Sequence, residues 1–248
     1  MFKASFAILA AVTVATSARA ANLVTNGGFE TSTYTSNTQF GAGFGGQGVA
    51  AWTGLGGNHL QFYYFRGTEA TTNAVNQYGD PKGYFRTNFV SSPAGGNLVA
   101  LDGDSDYAGT ISQSIGGLTP GKAYNLKFVW AASQLINRTG ATTEQLKVSF
   151  GGDTAFTSIA ANPSEGFTGW FSESFRFTAA TATQALTFLS IGTPSGLPPM
   201  AVLDGVSLNA VPEPAVWMLM VGGFGLVGIA ARRRPTAVAA QACHLDAA

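Results

Sequence analysis

The most constraining feature of the chain is a two-residue hydrophobic alternation that recurs along its middle and second half. In Tyr124–Trp130 the even positions are all apolar, and two of the three odd ones are polar. Leu146, Val148 and Phe150 alternate with Lys147 and Ser149, and Phe171, Phe175 and Phe177 alternate with Ser172, Ser174 and Arg176. A period of two puts alternate side chains on opposite faces, the pattern of half-buried antiparallel strands. Gln184–Ile191 is more continuously apolar and reads as a central strand. Turn signals separate the runs at Leu118-Thr119-Pro120-Gly121, Gly151-Gly152-Asp153, Asn162-Pro163-Ser164 and Pro198-Pro199. Many short strands with such punctuation predict an all-β antiparallel β-sandwich, a jelly roll, over residues 21–210. Residues 54–96 fit less well. Only His59–Phe65 reads as a strand there, and the rest reads as a long insertion or loop region.

The two ends read as signals. Met1-Phe2-Lys3, an apolar run from Ala4 to Ala15 and the small-x-small site Ala18-Arg19-Ala20 make a signal peptide over 1–20. Signal peptidase is then a partner, and the mature chain starts at Ala21. At the other end Val211-Pro212-Glu213-Pro214 precedes an apolar stretch over 215–231, and Arg232, Arg233 and Arg234 follow at once. That stretch is at the lower limit for a transmembrane helix, and the charges after it would stop transfer. Residues 211–234, with Pro212, Glu213, Pro214 and the three arginines as sorting residues, resemble the PEP-CTERM sorting signal of Gram-negative bacteria. The resemblance implies an exosortase as partner, an inner-membrane intermediate held by the helix, and release or re-anchoring at the cell surface or in the exopolysaccharide matrix. The chain departs from that pattern in a tail over 235–248, expected to be cytoplasmic, which holds the single cysteine, Cys243. The alternative is a plain single-span tail anchor.

Composition narrows the function. Charged residues are 10% of the chain and hydrophobic ones 46%, which excludes disorder, and one cysteine can build neither a disulfide scaffold nor a thiolate metal site. Setting aside Lys3, Arg19 and the three C-terminal arginines leaves 8 basic residues; setting aside Glu213 and Asp246 leaves 11 acidic ones. The exported domain is therefore mildly acidic. No nucleic-acid partner is expected, and nothing in the net charge favours strong binding of anionic polymers.

The domain's own ends carry a second resemblance. Asn22-Leu23-Val24-Thr25-Asn26-Gly27-Gly28-Phe29-Glu30, Trp52 and Leu203-Asp204-Gly205-Val206-Ser207-Leu208 are similar to galactose-binding-like jelly rolls, which include many bacterial carbohydrate-binding modules. The resemblance implies a structural Ca²⁺ held by Glu30 and Asp204 with backbone carbonyls. The strand pattern supports it: Val202, Asp204, Val206 and Leu208 are expected on one face, and a carboxylate among apolar neighbours needs a partner or a cation. The alternative is that Asp204 caps a turn or pairs with Lys or Arg.

Asp102-Gly103-Asp104-Ser105-Asp106 lacks the Gly and Glu of a calcium-binding EF-hand, having Tyr107 and Gln113 there, and reads as an acidic hairpin turn. Gly41-Ala42-Gly43-Phe44-Gly45-Gly46 matches a dinucleotide-binding spacing without its strand–helix context and reads as a loop. Catalysis has little to work with. His59 is the lone exported histidine, and no nucleophile-elbow or zinc-protease motif occurs, so the chain is read as a non-enzyme. Tyr63, Tyr64, Tyr78 and Tyr84 are candidates to stack on sugar rings, whereas Trp52 and Trp130 are expected in the core. The function these features support is an exported, exosortase-sorted, non-catalytic surface or matrix protein that binds extracellular polysaccharide. Its rivals are a structural matrix protein without a ligand and a glycoside hydrolase, which would need two carboxylates across one cleft.

Overall fold

The computed structural model describes residues 21–41, 48–55, 60–67, 69–71, 75–76, 85, 88–136, 138–197, 199–212 and 220–228. Thirteen strands are formed among them: β1 (Thr38–Gly41), β2 (Thr53–Leu55), β3 (Leu60–Phe65), β4 (Val75–Asn76), β5 (Leu98–Asp102), β6 (Thr110–Ile115), β7 (Ala123–Ser133), β8 (Thr142–Phe150), β9 (Asp153–Phe156), β10 (Ala160–Asn162), β11 (Phe171–Thr178), β12 (Gln184–Thr193) and β13 (Met200–Ala210). They make two sheets. One has the order β11-β7-β13-β5-β3-β1-β4; the other has β10-β8-β12-β6-β2, with β9 beside β8. Every described pair is antiparallel except β1 with β4. This is the expected all-β sandwich of jelly-roll type.

The alternation read from the sequence places the core. Tyr124, Leu126, Phe128 and Trp130 of β7 and Leu146, Val148 and Phe150 of β8 point between the sheets, where Trp52, Phe188 and Leu203 join them. Trp52 and Trp130 are each 1% exposed, as expected of core tryptophans. Their ring nitrogens still find acceptors: Trp52 donates to the Asn26 carbonyl at 2.9 Å and Trp130 to Glu173 Oε1 at 3.3 Å. Truncating either to Ala would cost about 3–5 kcal/mol. β12 is central, lying between β8 and β6. On β11, an edge strand, the alternation is only partly expressed, with Phe177 buried and Phe171 39% exposed.

A second apolar cluster lies on the outer side of the seven-stranded sheet. Tyr63, Phe65, Phe85, Phe89, Met200 and Val202 belong to it. Phe65 stacks on Phe85 at 4.4 Å and Phe85 on Phe89 at 4.6 Å. The region read as an insertion is thus partly built into the sheet, with β3 between β5 and β1, and it also supplies Phe85 and Phe89 to the outer cluster.

Two local expectations are corrected. Residues 102–110 are not a hairpin, because β5 and β6 belong to different sheets, and the segment crosses between them with Asp102 and Asp104 buried. Residues 22–30, read in the galactose-binding-like resemblance as the first strand ending at Glu30, form no strand; Asn26 and Phe29 take positive φ, and the segment is tied down through Leu23 N–H to the Leu208 carbonyl at 2.9 Å.

The C-terminal unit, residues 212–248, separates from the sandwich. Its described part is helical over 220–228. Among the described residues no helix is long and apolar enough to cross a membrane. The remainder of the expected 215–231 helix, Glu213, Pro214, Arg232, Arg233, Arg234 and the tail lie outside the described residues, as does the signal peptide.

Candidate functional site

Three places bear on function. The first is the outer face of the six-stranded sheet. With Leu146, Val148, Phe150, Leu186 and Phe188 committed to the core, the intervening residues of β8 and β12 must face outward. The register aligns them in rows. Thr154 lies opposite Ser149, Ser149 opposite Thr187, Thr187 opposite Ser112 and Ser112 opposite Thr53, a run of hydroxyls across β9, β8, β12, β6 and β2. At the usual strand spacing this row is about 19 Å long. Beside it runs a second row, Phe156–Lys147–Leu189–Thr110, with Phe156 51% exposed. Ile191, 40% exposed, follows Leu189 on the same face of β12. The β2 end of the hydroxyl row opens into a groove of about 500 Å³ lined by Thr25, Ala51, Thr53, Ser112, Gln113, Ser114 and Ala185. Gln113 braces one wall, its side-chain amide exchanging two 2.8 Å hydrogen bonds with the Thr25 backbone. None of the groove-lining residues is ionisable. No motif in the chain points directly to this site. Its polar phase was visible in Ser149 and Lys147, but only strand pairing reveals that the hydroxyls line up.

The second place is the seam of Glu30 and Asp204. Asp204 is fully buried. Its Oδ1 accepts the Gly205 N–H at 2.6 Å, Ser92 hydrogen-bonds the carboxylate, and Oδ2 has no partner. Burial pushes the carboxyl up to about 7; the bonds from Ser92 and Gly205 oppose that rise, and the nearby Glu30 charge adds to it. Glu30 accepts the Asn97 N–H at 2.9 Å and the Asn97 side-chain amide at 3.0 Å. Gly28 faces both acids: a Cβ there would lie 3.8 Å from Asp204 Oδ1 and 3.8 Å from Glu30 Oε1. The structure therefore brings the two residues together, but by a different route from the expected one. Gly205, at φ 62°, breaks the β13 register between Asp204 and Ser207. Asp204 stays in phase with Val202, which joins the outer cluster, while Val206 and Leu208 return to the inner core. The expectation that all four share a face is overturned by this bulge. Beside Glu30 is an open cleft of about 390 Å³ lined by Arg66, Gly67, Ser91, Gly96 and Asn97. No group of three or more His, Cys, Asp or Glu able to hold a metal occurs among the described residues.

The third place is the tyrosines. Tyr63 and Tyr64 are adjacent on β3 and point to opposite faces, Tyr63 into the outer cluster and Tyr64 into the main core, at 5% and 2% exposed. Tyr63 stacks on Phe65 at 5.7 Å, and Tyr64 packs tilted on Tyr34 at 5.7 Å. A sugar platform needs an open ring face, and both rings are closed in, so the stacking role expected of them is corrected. Tyr78, Tyr84 and His59 lie outside the described residues. Pro212 is described at the boundary of the two units.

A β-sandwich followed by a sorting tail defines a class, the exported proteins processed by an exosortase, and residues 210–234 match the PEP-CTERM protein-sorting motif. Residues 79–208, more than half of the chain, match the family described as protein of unknown function (DUF642), and the chain belongs to that family. No protein with a curated description matches. Among solved structures, TmCBM61 in complex with beta-1,4-galactotriose is similar over 77% of this chain and 99% of its own, at 15% identity and a TM-score of 0.43. The CBM22-1 xylan-binding domain from Paenibacillus barcinonensis Xyn10C is similar over 71% and 94%, at 11% identity and a TM-score of 0.35. Arabinose-bound MgGH51 α-L-arabinofuranosidase is similar over 77% of this chain and 27% of its own, at 13% identity and a TM-score of 0.42.

Proposed function

We propose that this exosortase-sorted surface protein is a non-catalytic binder of neutral polysaccharide, and that the outer face of the six-stranded sheet is the binding surface. One observation carries the reading: a row of five hydroxyl residues runs beside a row with exposed Phe156 and half-buried Leu189 and ends in a groove without ionisable groups. A sugar has the same two-sided character. Its hydroxyl edges exchange hydrogen bonds with Ser and Thr, each both donor and acceptor, and its C–H faces pack on an aromatic ring. Glycoside hydrolysis needs two carboxylates facing one cleft, and the described residues of this face include none. The PEP-CTERM tail supports delivery to the surface or matrix through an inner-membrane intermediate, with signal peptidase acting first.

The same proposal includes a structural Ca²⁺ at Glu30 and Asp204. The residues fit a hard cation: the donors are oxygens, Asp204 Oδ2 is buried without a partner, and Gly28 leaves space between the two carboxylates. Two carboxylates do not complete a calcium shell, so backbone or hydroxyl oxygens would supply the rest. The ion would tie the first described segment to the last strand and has no step in sugar binding.

The test is affinity electrophoresis of the full chain against soluble neutral glucans, galactans and xylans. At least one is expected to retard it. Phe156→Ala and the pair Ser112→Ala with Thr187→Val are each expected to weaken that retardation about tenfold, the loss of one or two good contacts. Absence of retardation by every neutral polymer would leave the structural matrix role instead.

A further inference from the structure

The seven-stranded sheet has an outer surface of a different kind. Beyond the stretch covered by the second aromatic cluster, β11, β7 and β13 lie side by side with their odd-numbered β7 positions outward, because Tyr124, Leu126 and Phe128 fill the core. Ser174 is opposite Lys127, and Lys127 is opposite Ser207. Arg176 is opposite Asn125, and Asn125 is opposite Asn209. Lys127 and Arg176 are therefore diagonal neighbours on adjacent strands, with backbones roughly 7–8 Å apart. Both are exposed.

Among the described residues, these two positive charges have no carboxylate to balance them. The ion pair found among the described residues is Arg66 with Glu69, far away in the chain. Glu173, the acid of β11, faces inward and accepts a hydrogen bond from Trp130. Asp204, level with Val129, is fully buried. Two like charges side by side on a sheet repel each other, and here they do so in a domain whose net charge is negative. The neighbours Ser174, Ser207, Asn125 and Asn209 are short hydrogen-bonding groups, with no aromatic wedge that would enter a lipid layer.

We propose that this face is a second ligand site, which binds an acidic polysaccharide chain: Lys127 and Arg176 meet its carboxylates, and the flanking Asn and Ser side chains meet its hydroxyls. Carboxylate pairing supplies charge-assisted bonds, and the amides and hydroxyls suit a polyhydroxylated chain better than a lipid headgroup. The site is on the opposite sheet from the neutral-glycan surface and does not depend on it. A protein with both would join two different polymers.

The test titrates the full chain with polygalacturonate and with alginate in calcium-free buffer, dextran serving as the uncharged polymer and phosphatidylglycerol vesicles as the lipid surface. Binding to at least one acidic polymer is expected, falling steeply between about 50 mM and about 500 mM salt. The double variant Lys127→Gln with Arg176→Gln is expected to lose about tenfold or more of that binding with its melting temperature unchanged. Lys127→Arg with Arg176→Lys, which keeps both charges, is expected to bind within about threefold of the wild type. Undiminished binding by the double Gln variant overturns the proposal, as does salt-independent binding, binding to vesicles alone, or no binding to either acidic polymer. Loss of neutral-glycan binding with retained polygalacturonate binding would overturn only the function proposed for the other sheet.

Discussion

Glu30 and Asp204 meet across a single glycine: a Cβ on Gly28 would stand 3.8 Å from Oε1 of one and 3.8 Å from Oδ1 of the other. One acid belongs to the first described segment and the other to the last strand, so their approach closes the chain on itself. The two are unequally served. Glu30 is held by both Asn97 donors, while Asp204 is fully buried with Oδ2 unpartnered. A buried carboxylate in that state is stable only if protonated or countered by a cation.

Calcium is therefore expected to stabilise the domain, and chelation to lower its melting temperature. A site present only in the folded state stabilises by about 2.7 kcal/mol at a hundredfold excess of ligand over Kd. At this size ~1 kcal/mol shifts the melting temperature by roughly 2–4 °C. Asp204→Ala should melt lower and lose its response to EDTA; Asp204→Asn should keep part of both. Identical wild-type melting curves with calcium and with EDTA would remove the ion and leave a protonated Asp204.

In calcium-free buffer, three buried carboxyls set the pH dependence. Burial pushes Glu144 up to about 8 and Asp102 and Asp204 up to about 7. Each is a folded-state value above the unfolded one, so the folded protein holds protons that the unfolded chain has released. Stability should accordingly fall as pH rises from about 4.5 to 8. Asp104 opposes this only at the acid end: burial raises it, but bonds from Gly196, Asp106 and Ser195 outweigh burial and hold it below its ordinary value. Glu144 accepts the Thr142 hydroxyl at 2.5 Å and leaves Oε2 unpartnered between the sheets. Glu144→Gln removes the charge at nearly constant shape. It should melt several degrees above the wild type at pH 8 and close to it at pH 5; an equal difference at both would remove Glu144 as the titrating group.

Strand alternation was legible wherever one face is core and the other water. Tyr124–Trp130 and Leu146–Phe150 fall as their pattern requires. It failed where a sheet is covered on both sides: Tyr63 and Tyr64 are consecutive residues of a strand buried on both faces, so neither had to be exposed. Asp102 misled for a topological reason, since a turn between sheets and a turn within one have the same composition. The convergence of Glu30 and Asp204 was legible only through resemblance. The hydroxyl row was not, because Thr53, Ser112, Ser149 and Thr187 are unremarkable until strands distant in sequence are paired.

Processing should depend on Glu213. The sandwich unit ends at Val211, and the sorting motif begins beside it. Glu213→Ala is expected to leave full-length protein in the inner membrane, seen as an unshifted band in the membrane fraction. Normal release of that variant would leave a plain tail anchor.

Gly205 decides where Asp204 points, and the last prediction concerns it. At φ 62° a side chain is strained, and a Cβ would also come 2.9 Å from Ala94 Cβ. Gly205→Ala therefore meets two separable penalties, backbone strain of about 1–3 kcal/mol and a steric clash. It should lower the melting temperature by several degrees. Adding Ala94→Gly removes the clashing atom and leaves the backbone strain, so the pair should recover part of the loss. Partial recovery requires that the strand keep its bulge in the variant, with Asp204 still beside Gly28, and the calcium response should then survive. If Gly205→Ala instead melts like the wild type, the strand has straightened without cost. Asp204 and Leu208 would then share a face, as a regular strand requires, and the calcium response should disappear.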